Sequence, residues 1–217
     1  MISVLCPSRG RPSRLRDSLF GLLDSAADRD AVEILAAMDP DDPDRAVAMW
    51  LTEPVPQIRF WTAPERWGYA RLHWYINMLA TLARGEWLFM WNDDCEMLTP
   101  GWDQIIHSEP PGILWPQADY AVGINTFPVL PKAWVDHVGH VSLDQSADMW
   151  WHDIGEMTGT MRKIPVSIHH EHIRGDVTAN ERDAVANVAT FHAPDMDAAR
   201  ETDADRIREL LVGTDVA

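Results

Sequence analysis

The sequence predicts an α/β fold in which a mostly parallel sheet is flanked by helices. Short apolar segments alternate with segments whose apolar residues recur every three or four positions, as in stacked βα units. The length of 217 residues suits one core of ordinary domain size rather than two. From about residue 175 the chain becomes acidic and rich in alanine. We therefore expect one domain over residues 1–174 and a C-terminal extension with a helix over 175–217.

The first half predicts four strands and three helices in alternation. The predicted strands cover residues 2–6, 32–38, 58–62 and 86–91. The first helix begins at Pro12, whose fixed φ suits a first turn, and its leucines recur at helical spacing. A second helix is predicted from Pro43, and a third over residues 71–84 with Gly85 as its C-cap.

The second half is less regular and rich in proline and tryptophan. Short strands are predicted there at residues 113–115, 121–125 and 165–168. Helices are predicted at residues 131–138 and 144–157, followed by a surface helix over 203–211. No internal repeat interrupts this order.

Composition and charge exclude several kinds of partner. The 18 lysines and arginines against 34 aspartates and glutamates give a net charge of −16, so direct binding of nucleic acid is not expected. No apolar run approaches the ~20 residues of a membrane span, and the N-terminus lacks the order of a signal peptide. We expect a cytoplasmic protein whose two cysteines, Cys6 and Cys95, are buried free thiols without metal-ligand spacing.

An acidic motif follows the fourth predicted strand directly, as Asn92-Asp93-Asp94. Ligands of open α/β sheets bind at the carboxyl ends of the strands, so these side chains are placed to act. Adjacent carboxylates repel each other, and a hard divalent cation relieves the repulsion. The motif therefore indicates a site for Mg²⁺ or Mn²⁺, while on spacing alone a solvated acidic turn remains the alternative.

The segment GEWLFMWNDDCEMLTPGW, residues 85–102, resembles the central segment of family 2-like GT-A glycosyltransferases. In that family Gly-Glu, an apolar strand, Asn-Asp-Asp as a variant of the DXD motif, and Thr-Pro-Gly-Trp occur in this order. The resemblance covers about residues 2–172 and extends to the first strand and its loop, to Met38-Asp39 and to the helix over 68–83. It implies a Rossmann-like GT-A fold, with residues 1–102 binding the nucleotide sugar and 103–174 the acceptor.

The resemblance also implies an activity, which is metal-dependent transfer of a sugar from a UDP- or GDP-sugar to the hydroxyl of an unknown acceptor. The implied contacts to the nucleotide sugar are Pro7, Ser8, Arg9, Arg11, Asp39, Arg71, Asn92 and Asp93. Asp94 is the implied ligand of Mn²⁺ or Mg²⁺. A late histidine completes the metal site in many such enzymes, which points to His172 first and to His170 as its substitute, since alternation along an extended chain puts both on one side.

An inverting enzyme of this kind needs a carboxylate that takes the proton from the acceptor hydroxyl. The corresponding segment here is SADMWWHDIG, which carries Ala147 where the family often has its first acid. Asp148 is therefore the candidate base and Asp153 the reserve. The tryptophans Trp150 and Trp151 either stack on a sugar or belong to the core.

Two other functions compete with this interpretation. A protein that binds nucleotide sugars without catalysis needs no base, so Asp148 discriminates against it. A nucleotidyltransferase shares the α/β core, but it is expected to have a glycine-rich first loop with a lysine. The loop SRGRP, with Gly10 as its single glycine, does not fit that pattern.

Overall fold

The strands form one eight-stranded sheet in the computed structural model, which describes residues 1–119, 123–171, 180 and 194–214. The strands are β1 (Ile2–Pro7), β2 (Val32–Met38), β3 (Ile58–Thr62), β4 (Trp87–Met90), β5 (Cys95–Met97), β6 (Ile113–Ala118), β7 (Val129–Pro131) and β8 (Met161–His170). Their spatial order is β3-β2-β1-β4-β7-β6-β8-β5. Among the described strands, four pairings are parallel and three antiparallel. The predicted fold class is confirmed.

Helices cover both faces of the sheet. They are α1 (Pro12–Ser25), α2 (Arg45–Thr52), α3 (Leu72–Leu82), α4 (Trp102–Ser108), α5 (Lys132–Val138), α6 (Ala147–Thr158) and α7 (Pro194–Thr214), with 3₁₀ turns at Arg29–Ala31 and Tyr69–Arg71. The buried residues of α1 and α4 belong to one apolar core, and those of α3, α5, α6 and α7 to the core on the other face. No helix in the described ranges has the length and apolar character needed to cross a membrane.

The parallel half of the sheet follows from its sequence. All seven residues of β2 are buried, as expected for a central parallel strand that is covered on both faces. Strand β1 pairs parallel with both β2 and β4, so the carboxyl ends of these three strands lie at one edge. The loops that begin at this edge contain the predicted nucleotide-binding and metal-binding residues.

The second half brings the chain back to the same edge. Strand β7 pairs antiparallel with β4, β6 pairs antiparallel with β7, and β8 runs parallel to β6. The short strand β5 then pairs antiparallel with β8, with Cys95 opposite His170. The residues just after β4 therefore lie next to the end of β8.

Several predicted elements differ from the structure. Residues 121 and 122 of the predicted strand 121–125 lie outside the described residues, and 123–125 form a turn instead of a strand. Strands β5 and β7 were not predicted, because three residues are too few to show an alternating pattern. Pro131, predicted at a helix start, ends β7 instead, and β8 is longer than predicted.

Gly85 does not cap a helix, although its position after a helical pattern predicted this. Helix α3 ends at Leu82 with Ala83 as its C-cap. A Cβ on Gly85 would lie 2.7 Å from both the backbone nitrogen and the hydroxyl of Ser3. The glycine is needed because the chain passes against β1 immediately before β4 begins.

Turns delay the start of two helices relative to the prediction. Helix α2 begins at Arg45 rather than Pro43, because Asp42 Oδ1 accepts a hydrogen bond from the Asp44 amide at 2.9 Å and holds a turn there. Helix α6 begins at Ala147 rather than residue 144, because Asp144 Oδ1 accepts from the Ser146 amide at 2.8 Å.

Helix α7 is longer than the predicted surface helix over 203–211, and one of its faces is buried. Ala204 and Ile207 on that face have no exposed surface. Arg200 is only 2% exposed, and its Nη2 lies 2.7 Å from a carboxylate oxygen of buried Asp144. Its guanidinium also lies 4.9 Å from the ring centre of Trp150. This helix therefore fixes the segment that leads into α6.

The buried ion pair between Arg200 and Asp144 gives a test of this docking. Replacing Arg200 by alanine leaves the Asp144 carboxylate buried without its cation, which typically costs about 3 kcal/mol or more of the free energy of unfolding. We expect a clear fall in the midpoint of urea denaturation for Arg200→Ala. The matched control Arg29→Ala removes an exposed ion pair with Asp24 and should leave the midpoint nearly unchanged. Equal midpoints for both variants would show that α7 does not stabilise the fold through Arg200.

Candidate functional site

The carboxyl edge of the parallel strands brings together most of the residues predicted to bind the nucleotide sugar and the metal. The loop after β1 contributes Ser8, Arg9 and Arg11, the end of β2 contributes Asp39, and the turn after β4 contributes Asp93 and Asp94. These side chains contact one another across the loops, as acid–arginine and acid–hydroxyl pairs. The site is therefore organised by this chain's own residues.

Asp93 is buried and held by two residues of the β1 loop. The Ser8 hydroxyl donates to Asp93 Oδ2 at 2.6 Å, and Arg11 Nη1 lies 2.9 Å from Asp93 Oδ1. The same Arg11 nitrogen lies 3.5 Å from Asp94 Oδ2, so one guanidinium offsets the repulsion between both carboxylates. Burial raises the pKa of Asp93 to about 6, although Arg11 and Ser8 oppose that shift.

Asp94 lies against the end of β8. Its Oδ1 is 3.1 Å from His170 Nε2, and its backbone carbonyl accepts a hydrogen bond from the Glu171 amide at 3.1 Å. Both side chains are nearly buried. His170 reaches this position because β8 pairs with β5, which begins directly after Asp94. His172, the other predicted metal ligand, lies outside the described residues.

Asp94, Cys95 and His170 have the donor atoms that a divalent ion requires. One potential ligand atom from each residue lies within 4.8 Å of the other two. A carboxylate oxygen and an imidazole nitrogen suit Mn²⁺, and the six-coordinate preference of Mn²⁺ or Mg²⁺ leaves positions for water or diphosphate oxygens. The residues therefore fit the metal that the sequence predicted. Burial raises the pKa of the neighbouring Cys95 thiol.

Asp39, at the end of β2, is bound by residues from two directions. Its Oδ2 lies 3.0 Å from Arg9 Nη1 of the β1 loop. Its Oδ1 accepts hydrogen bonds from the Tyr75 hydroxyl and from the Trp67 amide, the latter at 3.2 Å. Burial and the adjacent Asp39 raise the pKa of Tyr75, so its hydroxyl keeps its proton and donates a hydrogen bond to the carboxylate.

Tyr75 and Trp67, which both contact Asp39, belong to a group of packed aromatic rings that sequence reasoning did not assign to the site. The ring centres of Trp61 and Trp67 lie 5.4 Å apart, and Trp67 is also 5.4 Å from Trp74. Trp61 and Trp67 are partly exposed. The only sequence signal was the short spacing of these tryptophans around the start of α3, which a chain with 11 tryptophans makes weak.

The remaining predicted donor contacts lie around this group. Pro7 ends β1, and the exposed Asn92 follows β4, its carbonyl 3.3 Å from the Ser18 hydroxyl. Arg71 is exposed, and its guanidinium lies over the Trp74 ring at 4.6 Å. Arg71 therefore lies against Trp74 and beside the exposed Glu65, and not next to Asp39, Asp93 or Asp94.

The two candidate bases lie on α6 and differ in their surroundings. Asp148 is in the first turn of α6 and the residue as a whole is partly exposed, but protein atoms packed around its carboxyl exclude water there and raise its pKa to about 6. Asp153 lies one turn later, with a carboxylate oxygen 3.5 Å from Arg200 Nε. Trp150 and Trp151 are completely buried, so they belong to the core and offer no face to a sugar.

Solved glycosyltransferase structures share this fold. S. aureus TarS 1-349 in complex with UDP-GlcNAc matches with a TM-score of 0.66 and 9% identity, over 94% of this chain and 72% of that chain. The mannosyltransferase PcManGT from Pyrobaculum calidifontis, in complex with GDP-Man and Mn²⁺, matches with a TM-score of 0.63 and 12% identity, over 94% and 69%. No protein-family model and no curated protein sequence matches the chain. The chain therefore has the fold of these glycosyltransferases.

The contact between Asp94 and His170 predicts how the site distinguishes metal ions. His170→Ala should weaken binding of Mn²⁺ more than binding of Mg²⁺, because imidazole is a better ligand for Mn²⁺ than for the harder ion. Calorimetric titration of the metal-free protein with each ion measures both affinities. His172→Ala is the matched comparison. A change in His172→Ala alone would assign the ligand to His172 instead.

Proposed function

We propose that this protein is a metal-dependent glycosyltransferase that moves a sugar from a UDP- or GDP-sugar to a hydroxyl of its acceptor. One observation carries the proposal. The ends of β1, β2 and β4 bring two arginines, Asp39 and the Asp93-Asp94 pair to one edge of a sheet, and His170 contacts Asp94 there. The shared fold with solved glycosyltransferases, two of them in complex with UDP-GlcNAc and GDP-Man, supports it.

The nucleoside is proposed to bind at Asp39. A carboxylate there accepts hydrogen bonds from a ribose or a base, and the partly exposed faces of Trp61 and Trp67 offer a stacking surface beside it. Arg9 joins Asp39 to the β1 loop, and we propose that the diphosphate passes it between the nucleoside and Asp94. Arg9 and Arg11 are placed to make charge-assisted hydrogen bonds to the phosphates.

Asp94 and His170 are the proposed protein ligands of the metal ion, which supplies positive charge that stabilises the leaving nucleoside diphosphate. Mn²⁺ in the PcManGT complex is consistent with this ligand set. Asp93 is proposed to lie beside the ribose or the sugar, where Ser8 and Arg11 fix its carboxylate.

Asp148 is the proposed general base. Its carboxylate takes the proton from the acceptor hydroxyl as that oxygen bonds to the anomeric carbon and the nucleoside diphosphate leaves with the electrons of the broken bond. A carboxyl whose pKa is raised to about 6 accepts a proton more readily than an ordinary aspartate and is still ionised at pH 7. Asp153 is less suited, because its carboxylate already pairs with the buried Arg200 guanidinium at 3.5 Å. An aspartate base acting on the acceptor corresponds to inversion at the anomeric carbon.

Loss of the metal ligand tests the donor site. Asp94→Ala should abolish the metal-dependent part of UDP or GDP binding, since Asp94 is the carboxylate that faces His170. Calorimetric titration of each nucleotide with and without Mn²⁺ measures this part. The exposed acid Glu96, two residues further along, provides the control Glu96→Ala, which should bind like wild type. If Asp94→Ala keeps its metal-dependent affinity, the assignment of Asp94 is wrong.

The donor is first identified by screening nucleotide sugars with Mn²⁺ for slow hydrolysis by the wild-type protein. The proposed base, Asp148, is then tested with that donor. Asp148→Asn should lower turnover by ~10²-fold or more, as for loss of a general base, with donor affinity nearly unchanged. The wild-type rate should fall as the pH drops through about 6, where Asp148 and Asp93 both take up protons, because protonated Asp148 cannot accept the proton of the acceptor. The matched variant Asp153→Asn should retain most of the activity. Full activity in both variants would favour a different mechanism, and no turnover of any donor in the wild type would favour a protein that only binds nucleotide sugars.

A further inference from the structure

Cys95 lies in the same cluster as Asp94 and His170, although the proposed function gives it no role. It directly follows Asp94 and stands opposite His170 in the antiparallel pairing of β5 with β8. Side chains directly opposite each other in such a pair lie on the same face of the sheet. The Cys95 sulfur accordingly lies within 4.8 Å of ligand atoms of both Asp94 and His170.

We propose that Cys95 is a third protein ligand at this site for thiophilic divalent ions, so that Asp94, Cys95 and His170 together form a Zn²⁺ site. Zn²⁺ bound in this way competes with the ion that the donor requires and inhibits transfer. The ligand assignment depends only on the three residues, whereas the inhibitory effect rests on the proposed function.

The geometry needs only a small movement of the cysteine. Neighbouring ligand atoms around tetrahedral Zn²⁺ are ~3.3–3.8 Å apart, as bond lengths of ~2.0–2.3 Å require. Asp94 Oδ1 and His170 Nε2 are already 3.1 Å apart. The sulfur lies at most 4.8 Å from ligand atoms of both residues, so it has to approach them by no more than ~1.5 Å to reach that spacing. The ring of Phe127, 5.2 Å from the imidazole, packs against His170 and fixes its orientation.

The charges favour different ligand sets for different ions. Cys95 and His170 are buried, and the Asp94 side chain is 5% exposed, so a neutral complex is preferred there. When Zn²⁺ binds, the thiol releases its proton to solvent, the S–H bond is replaced by an S–Zn bond, and no electron is transferred. Zn²⁺ with one carboxylate and one thiolate is then neutral. Mn²⁺, which favours oxygen and imidazole ligands, leaves the thiol protonated and keeps a positive charge for the donor diphosphate.

Spectroscopy of the metal-free protein tests the thiolate ligand without measuring activity. Co²⁺, a spectroscopic substitute for Zn²⁺, should produce a thiolate-to-cobalt charge-transfer band in wild type and in Cys6→Ser, and no such band in Cys95→Ser. Cys6 is the matched control because it is the other buried cysteine and is not part of the cluster. Competition with Co²⁺ should show that Cys95→Ser binds Zn²⁺ at least about 10-fold more weakly, since even loss of an outer partner of a metal ligand costs that much.

A second measurement uses only the wild-type protein, so its result does not depend on whether Cys95→Ser folds. The ¹¹³Cd resonance of the Cd²⁺-loaded protein should have the shift of a site with one sulfur ligand. Oxygen and nitrogen ligation alone would overturn the proposal, as would a cobalt band that survives in Cys95→Ser.

The proposed function is tested separately, because Mn²⁺-dependent binding of UDP or GDP by wild type requires no thiolate. Addition of Zn²⁺ should abolish that binding, and nucleotide affinity in Mn²⁺ that is unaffected by Zn²⁺ would contradict the inhibitory effect.

Discussion

The pairing of β5 with β8 is the constraint on which the candidate site depends. Parallel strands alone place acidic residues at one edge of the sheet, but they supply no imidazole to Asp94. The chain leaves that edge through β5 and α4, and its last strand, β8, runs back to the edge and places His170 opposite Cys95. The Asp94 carbonyl also accepts a hydrogen bond from the amide of Glu171, so the backbone fixes the approach of the two segments as well as the side chains do. Asp94 and His170 are 76 positions apart in sequence, and the pairing of β5 with the end of β8 is enough to bring them together.

The elements that sequence predicted well are those whose signal is local. Strands β2 and β3 have the predicted bounds because each is a short, mostly apolar segment bounded by polar or turn-forming residues. Strands β5 and β7 have three residues each, and their positions are determined by partners far away in sequence, namely β8 and β4. Gly85 shows the same limit at a single residue. A glycine after a helix predicts a cap, whereas the structure requires it for the close passage along Ser3, which only the assembled sheet reveals.

The candidate site shows a similar division. The acids after β4 could be chosen from sequence, because strand order places them at the carboxyl edge of the sheet, and the family resemblance implied the arginines of the first loop. The roles of Tyr75 and Trp67 could not, since both reach Asp39 from the segment that begins α3 and contact it only through tertiary packing. The preference between two nearby histidines depended on register, and the structure places His170 against Asp94 through its pairing with Cys95.

The ion pairs of the site also bear on how it would bind its ligands. Arg11 lies between the carboxylates of Asp93 and Asp94, and all three side chains are nearly buried. If Arg11 turns toward a diphosphate, the two carboxylates lose the cation that offsets their repulsion, which is costly at such burial. A divalent ion held by Asp94 and His170 would replace that positive charge and would free Arg11 to contact the phosphates. In the proposed function, binding of metal and of nucleotide therefore favour each other, and because such coupling is reciprocal, each raises the affinity for the other by the same factor.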